Sequence, residues 1–149
     1  MRASIRSSHL GLCVTDLSAS LRFWVDGLGF ELGERYDLDS EGLPSLHQAL
    51  EVDEPVKVTS QFMRRDGWAI ELLEYSAPSA SGHPSPSRGQ VGLTHLAFHV
   101  DDLEGTVAHL VAHGGTVVEG TQVDVGIPVV FVADPDGVRV ELMEIPVRG

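Results

Sequence analysis

The chain carries two versions of one pattern, and an internal duplication restricts the available folds more than any other feature. Ser8-His9-Leu10-Gly11-Leu12-Cys13-Val14-Thr15-Asp16-Leu17 matches Thr94-His95-Leu96-Ala97-Phe98-His99-Val100-Asp101-Asp102-Leu103 at a spacing of 86 residues, and Gly29 with Gly115 keeps that spacing. Further on, Arg65-Asp66-Gly67-Trp68-Ala69-Ile70-Glu71-Leu72-Leu73-Glu74 matches Pro135-Asp136-Gly137-Val138-Arg139-Val140-Glu141-Leu142-Met143-Glu144 at a spacing of 70. The first copy is therefore 16 residues longer in its middle.

Each copy opens on an alternating run, residues 9–14 or 95–100, that predicts a strand with 9, 11 and 13 on one face and 10, 12 and 14 on the other. Asp16 and Asp102 stand at the N-cap of a following helix, where a carboxylate accepts from free backbone N–H groups. The apolar stripes are Leu17, Leu21, Trp24, Leu28 and Leu103, Val107, Leu110, Val111, and glycines at 27 and 29, or 114 and 115, supply the stops. A strand leads out of each helix, over residues 30–35 or 116–119, and a hairpin follows. Its arms are 57–63 and 68–75 around Asp66-Gly67, then 129–133 and 138–145 around Asp136-Gly137, a dipeptide that takes positive φ readily. The expected fold is α+β, with two βαβββ modules and an eight-stranded mixed sheet. Residues 1–75 form the first module, 76–92 a linker rich in Ser, Pro and Gly, and 93–149 the second; a short helix is expected around 45–51.

With 149 residues and 42% apolar content, the chain can build one compact domain or two small modules sharing a core. Cys13 is the only cysteine, which excludes an intrachain disulfide and a Cys-based zinc site and points to a reducing, cytoplasmic setting. Residues 1–14 carry Arg2 and Arg6 but no continuous apolar run, and no stretch elsewhere approaches a membrane span, so neither targeting nor a membrane partner is expected. Ten basic against 22 acidic residues leave a net charge of −12, which works against binding nucleic acid.

Function rests on what the repeat puts in register. His9 and His95 stand at the start of the first strand of each copy, Glu71 and Glu141 within the last. A lone strand histidine is more often a core or edge residue than a ligand. The glutamates say more, because Glu71 lies between Ile70 and Leu72, and Glu141 between Val140 and Leu142. A half-buried, unpaired carboxylate is costly and persists by pairing or by binding a metal. Two imidazoles and two carboxylates from four strands make a mixed N/O set suited to one divalent ion, Zn, Ni, Co, Fe or Mn, with positions left for water or substrate.

The runs Gly92-Leu93-Thr94-His95-Leu96-Ala97-Phe98-His99-Val100-Asp101-Asp102 and Phe131-Val132-Ala133-Asp134-Pro135-Asp136-Gly137-Val138-Arg139-Val140-Glu141-Leu142-Met143-Glu144 make the chain resemble the vicinal oxygen chelate superfamily over nearly its whole length. That superfamily includes glyoxalase I, methylmalonyl-CoA epimerase, extradiol dioxygenases and the bleomycin- and fosfomycin-resistance proteins. The resemblance implies a cupped sheet around a metal, ligands at His9, Glu71, His95 and Glu141, a small-molecule substrate and a homodimer. Residues 36–55 match the family poorly, and substrate contacts often come from such segments. Dioxygenases resembling this fold use two His and one Glu, so the additional Glu71 points to the glyoxalase and epimerase branch. The implied reaction is that of a lyase or isomerase, lactoylglutathione lyase-like or epimerase-like. It removes a C–H proton beside a metal-bound carbonyl of a small oxygenated metabolite or thiol conjugate. The alternatives are an Fe(II) dioxygenase in which Glu71 stays off the metal, and an antibiotic-binding resistance protein without catalysis.

Glu71 and Glu141 are the candidate bases that this resemblance supplies. Gln61 is expected opposite Glu71, if the hairpin pairs 64 with 68, as an orienting hydrogen bonder lining the cavity, since an amide cannot act as a base. His99 shares a strand face with His95; it is a partner of His95, a proton carrier, or simply a lining group. Cys13 reads as packing. Glu74 and Glu144 have the opposite parity and are expected to face water. Arg64 and Arg65 flank the turn, either to meet a phosphate or carboxylate or as a solvated pair. His47, His83, His109 and His113 have no partner that the repeat picks out and are expected in solvent.

Overall fold

In the computed structural model, residues 3–146 are described; Met1 and Arg2 of the N-terminal run and Val147 to Gly149 of the second module lie outside the described residues. The first copy runs β1 (Leu10–Val14), α1 (Leu17–Leu21) continuing into a π-helical turn (Arg22–Gly27), β2 (Glu31–Asp39), α2 (Leu46–Leu50), β3 (Lys57–Arg65) and β4 (Trp68–Ala77). The second runs β5 (Leu96–Val100), α3 (Leu103–Ala112), β6 (Thr116–Val117), β7 (Val123–Asp124), β8 (Pro128–Ala133) and β9 (Arg139–Glu144). The eight expected strands are present and β7 joins them; they lie in two mixed sheets, β1-β4-β3-β2 and β5-β9-β8-β6, with β7 on β8. By packing, and of the described residues, 3–17 group with Gly29–Ser81, and Ser18–Leu28 group with 82–146. Among the described residues no helix is long and apolar enough to cross a membrane.

In the first unit the outer strand β1 lies parallel to β4, and Leu12, Val14, Ile70 and Leu72 turn one face into the core. The 16-residue excess includes the expected short helix, α2. Leu46 of α2 is buried with Val56 and Val58, and Leu38, Leu50, Leu73 and Tyr75 pack against them. Because Leu73 and Tyr75 alternate with Glu71 on one face of β4, this insertion covers part of the face that carries Glu71.

The hairpin of this unit departs from expectation by one residue. Asp66 and Gly67 both have positive φ, 49° and 80°, the signature of a two-residue hairpin turn, so Arg65 pairs with Trp68. A one-residue slip turns every side chain of an arm to the other face. Phe62 therefore stands opposite Glu71, and Gln61 opposite Leu72. Gln61 is buried and does not line the Glu71 face. The β2–β3 register breaks between Leu32 and Arg35, and Gln61 Nε2 donates to the carbonyls of Gly33 and Glu34 in that bulge, at 3.2 and 3.4 Å. The same nitrogen donates to the carbonyl of Phe62 at 2.9 Å, so one buried amide serves both the bulge and its own strand. In the second unit a longer connection pairs Ala133 with Arg139 and puts Phe131 opposite Glu141, so the structural counterpart of Phe131 is Phe62.

Glu74 and Glu144, expected in water, cap helices. Parallel pairing sets Val14 beside Glu74 and Val100 beside Glu144, where each chain leaves the sheet for a helix. Glu74 Oε2 accepts from the N–H of Leu17, and Glu144 Oε2 from that of Leu103 at 2.8 Å. These are first-turn amides that have no partner within a helix. Asp102 adds the expected N-cap, accepting from Gly105 N at 2.9 Å. Gly29, at φ 75°, makes the turn after Leu28, whereas its counterpart Gly115 is needed for closeness: a β-carbon there would come within 2.9 Å of Leu110 O and of Phe23 and Val132 side-chain atoms.

Within the second unit Phe23 and Trp24 are fully buried. Trp24 Nε1 donates to Asp134 Oδ2 at 3.1 Å, and Asp134 Oδ1 accepts from the N–H groups of Asp136 and Val138 at 2.9 and 2.8 Å. One carboxylate thus orders the β8–β9 connection and ties the π-helical turn to it. Burial pushes the Asp134 carboxyl above its ordinary value of 3.8, against the pull of the Val138, Trp24 and Asp136 donors. The native state then holds this proton more tightly than the unfolded chain, so the group's stabilising contribution grows as pH falls from above the raised value toward 3.8.

We expect Asp134→Asn to cost about 1–3 kcal/mol near the ordinary Asp value, because its NH2 must face a donor, and less near neutrality, where it also removes a buried charge. Urea midpoints of the two proteins across that pH range check this; a gap that narrows toward acid contradicts it. Gln61→Leu should lower stability by about 1–3 kcal/mol by the same measurement. A Gln61→Leu variant that keeps wild-type stability would show that the amide has no structural part at the bulge.

Candidate metal centre

The strand pairing that builds each unit also brings its histidine to its glutamate. β1 sets Gly11 beside Glu71 on β4, and β5 sets Ala97 beside Glu141 on β9. The histidine lies two residues earlier on the same face, and the small residue at 11 or 97 leaves its ring room to lean across. A β-carbon at Gly11 would find only Leu73 at 3.9 Å, an ordinary contact consistent with alanine at the matching place. His9 Nε2 lies 3.4 Å from Glu71 Oε1, and His95 Nε2 lies 3.1 Å from Glu141 Oε2.

The surroundings repeat as well. Ser8 Oγ lies 2.8 Å from His9 Nδ1, and Thr94 Oγ1 lies 2.8 Å from His95 Nδ1. Phe62 meets the His9 ring edge-on at 5.1 Å between centroids, and Phe131 meets His95 at 5.2 Å. Neither pair is sealed: the imidazoles are 34% and 36% exposed and the carboxylates 19% and 20%.

This donor set suits a divalent ion. Metal–ligand bonds of about 2.0–2.2 Å, at angles between a right angle and a tetrahedral one, hold two donor atoms roughly 2.8–3.6 Å apart. Both imidazole–carboxylate separations fall there, and both are also those of a direct ion pair. A metal on Nε2 also requires the ring proton on Nδ1, where the Ser8 or Thr94 hydroxyl oxygen can accept it and fix the ring. Among the described residues no three His, Cys, Asp or Glu side chains gather as a group that could hold a metal ion; each histidine is brought to one glutamate, as a pair.

The halves differ around this shared plan. Ser60 of β3 is buried and donates to Glu71 Oε2 at 2.6 Å. Tyr75 stands beyond Leu73 on the Glu71 face, and burial, then the charges of Cys13 and Glu71, push its phenol up. Cys13, expected to pack, is exposed on the face of β1 that carries His9. His99 is exposed near the end of β5, on the His95 side. Arg64 pairs with Glu34 at 2.8 Å, which holds the Glu34 carboxyl below its ordinary range, and Arg65 pairs with Asp66 at 3.2 Å.

His9 with Glu71, and His95 with Glu141, are thus brought together as pairs, whereas Gln61 belongs to the opposite face. Phe62 escaped the sequence because the unequal hairpin connections disguise its match to Phe131. The Ser8 and Thr94 hydroxyls did carry a signal, since they keep the same spacing of 86 as the histidines. Ser60 carried none.

Residues 6–142 match the model of the Glyoxalase/Bleomycin resistance protein/Dioxygenase superfamily. An uncharacterized protein of Escherichia coli K12, YaeR, is 33% identical over 139 residues, covering 91% of this chain and 93% of that protein. A 2-epi-5-epi-valiolone epimerase from an Actinomyces species is 28% identical over 145 residues, covering 93% of this chain and 78% of the other. Among solved structures, a glyoxalase family protein from Bacillus cereus superposes with a TM-score of 0.77 at 20% identity, covering 96% and 95% of the two chains. The trypanothione-dependent glyoxalase I of Leishmania major gives 0.63 at 23% identity, covering 95% and 87%. With the family model spanning nearly the whole chain, over a duplicated βαβββ fold that repeats a histidine–glutamate pair, this protein belongs to the Glyoxalase/Bleomycin resistance protein/Dioxygenase superfamily.

Proposed function

We propose that the protein is a metal-dependent isomerase or lyase of the epimerase and glyoxalase kind, with His9, Glu71, His95 and Glu141 as ligands of one divalent ion. The observation that carries this reading is the twofold occurrence of an imidazole Nε2 set 3.1–3.4 Å from a carboxylate oxygen. Two carboxylates, where an iron oxygenase of this kind uses one, favour proton-transfer chemistry over oxygen activation. The epimerase among the relatives supports the same direction. The substrate class is a small oxygenated carbonyl compound or a thiol conjugate of one. A homodimer in the cytoplasm completes the reading, in keeping with a single cysteine that can close no disulfide within the chain.

A divalent ion bound there supplies a Lewis acid for a substrate carbonyl oxygen. The residues do the rest. His9 and His95, their Nδ1 protons held by Ser8 and Thr94, fix the geometry. A site carboxylate, Glu141 or Glu71, takes the proton from the carbon next to the carbonyl. Phe62 and Phe131 wall the pairs with apolar surface, and His99, exposed on the His95 side, can pass a proton to water. A positioned base alone supplies about 10²–10⁴-fold, roughly 3–5 kcal/mol, short of the 8 kcal/mol or so that enzymatic acceleration requires. That shortfall supports a reading in which base and ion act together.

Elemental analysis after metal loading should find one ion per chain in the wild type and none retained in His9→Ala or His95→Ala; full occupancy in both variants would remove the site. In D2O the loaded protein, offered α-hydroxyketones, acyl thioesters and 2-oxoaldehyde–thiol adducts, should wash deuterium into the carbon beside the carbonyl of one class. EDTA or Glu141→Gln should stop this exchange. Ligand binding without exchange, indifferent to EDTA and to Glu141→Gln, would instead mark a sequestering protein.

A further inference from the structure

Ser60 separates two half-sites that are otherwise alike. It lies on β3, two residues before Phe62 and on the same face, is 1% exposed, and its hydroxyl donates to Glu71 Oε2 at 2.6 Å. A hydroxyl-to-carboxylate bond of that length is among the stronger ones a serine makes. Glu71 divides its oxygens in consequence: Oε2 belongs to Ser60, and Oε1 faces His9 Nε2.

The corresponding place in the second unit, two residues before Phe131, is Val129, also buried. The same strand, in the same position beside the same kind of glutamate, folds with an apolar side chain there. The fold therefore does not require a hydroxyl at this place. Nor does Glu71 need it for solvation, since its side chain keeps nearly the same exposure as that of Glu141, 19% against 20%. What the hydroxyl adds is direction.

We propose that Ser60 is a positioning residue that commits one oxygen of Glu71 and so holds this glutamate as a one-oxygen ligand. Held so, Glu71 would offer a bound ion the single oxygen Oε1. The second half-site has no such constraint, which makes the two carboxylates unequal despite their shared origin. This rests on the metal-bound reading above.

The test compares Ser60→Ala, Ser60→Thr and Ser60→Val in the full chain, the last two nearly isosteric and differing in the hydroxyl. Each is titrated with Co2+ against a competing chelator, and the visible spectrum of the bound ion is recorded beside a melting curve. Thr should keep affinity and spectrum close to wild type, whereas Ala and Val should bind about 10–100-fold more weakly, the range for loss of a group that orients a ligand, with an altered spectrum. Should Ala fold poorly, the Thr–Val pair still isolates the hydroxyl. Wild-type affinity and spectrum in both Ala and Val would overturn the role of Ser60 alone. A wild-type chain that takes up no Co2+ would overturn the metal-bound reading and this inference with it.

Discussion

Parallel pairing of the first strand with the last decides which side chains meet in each unit. It sets Gly11 beside Glu71 and Ala97 beside Glu141, and both histidine–glutamate pairs follow from that register. The histidine two places earlier reaches its glutamate across a residue too small to block it. The glutamate three places later, Glu74 or Glu144, meets the strand's end and caps the helix that leaves it. One ladder thus serves both a candidate metal pair and the start of a helix, on opposite faces of the sheet. Shifting it by a residue would exchange the two faces and lose both.

Much of this was legible in the amino-acid order because duplication acts as an internal control. His9 with His95 and Glu71 with Glu141 stand out only because each occurs twice in register, and the structure brings His9 to Glu71 and His95 to Glu141. The same signal covered Glu74 and Glu144, yet parity alone sent them to water. Parity says which face a strand residue takes, not what else has arrived there, and unsatisfied amides at a helix start had arrived. The misplacement of Gln61 has a different cause. The β3–β4 connection holds two residues and its counterpart five, so a constant spacing applied through the turn lands one residue away on the wrong face. Turn geometry sets register, and the Asp-Gly dipeptide alone did not reveal the length of each turn.

Asymmetry was the least legible part. A repeat draws attention to what its copies share, while Ser60, Tyr75 and helix α2 belong to one copy. They nonetheless give the first unit its character: α2 covers part of the Glu71 face, Tyr75 stands along that face, and Ser60 steers one carboxylate oxygen. The second unit offers Val129 and an exposed His99 around a similar pair. The two histidine–glutamate pairs are thus alike in sequence and unequal in their settings.

X-ray absorption at the metal edge of the loaded protein reports the ligand atoms of the bound ion without any reference to activity. Two imidazoles and two carboxylates are expected, with N and O neighbours at about 2.0–2.2 Å and the multiple-scattering pattern of two rings. A sulfur neighbour at about 2.3 Å, which would bring Cys13 into the site, or the signature of fewer than two imidazoles per ion, would contradict it.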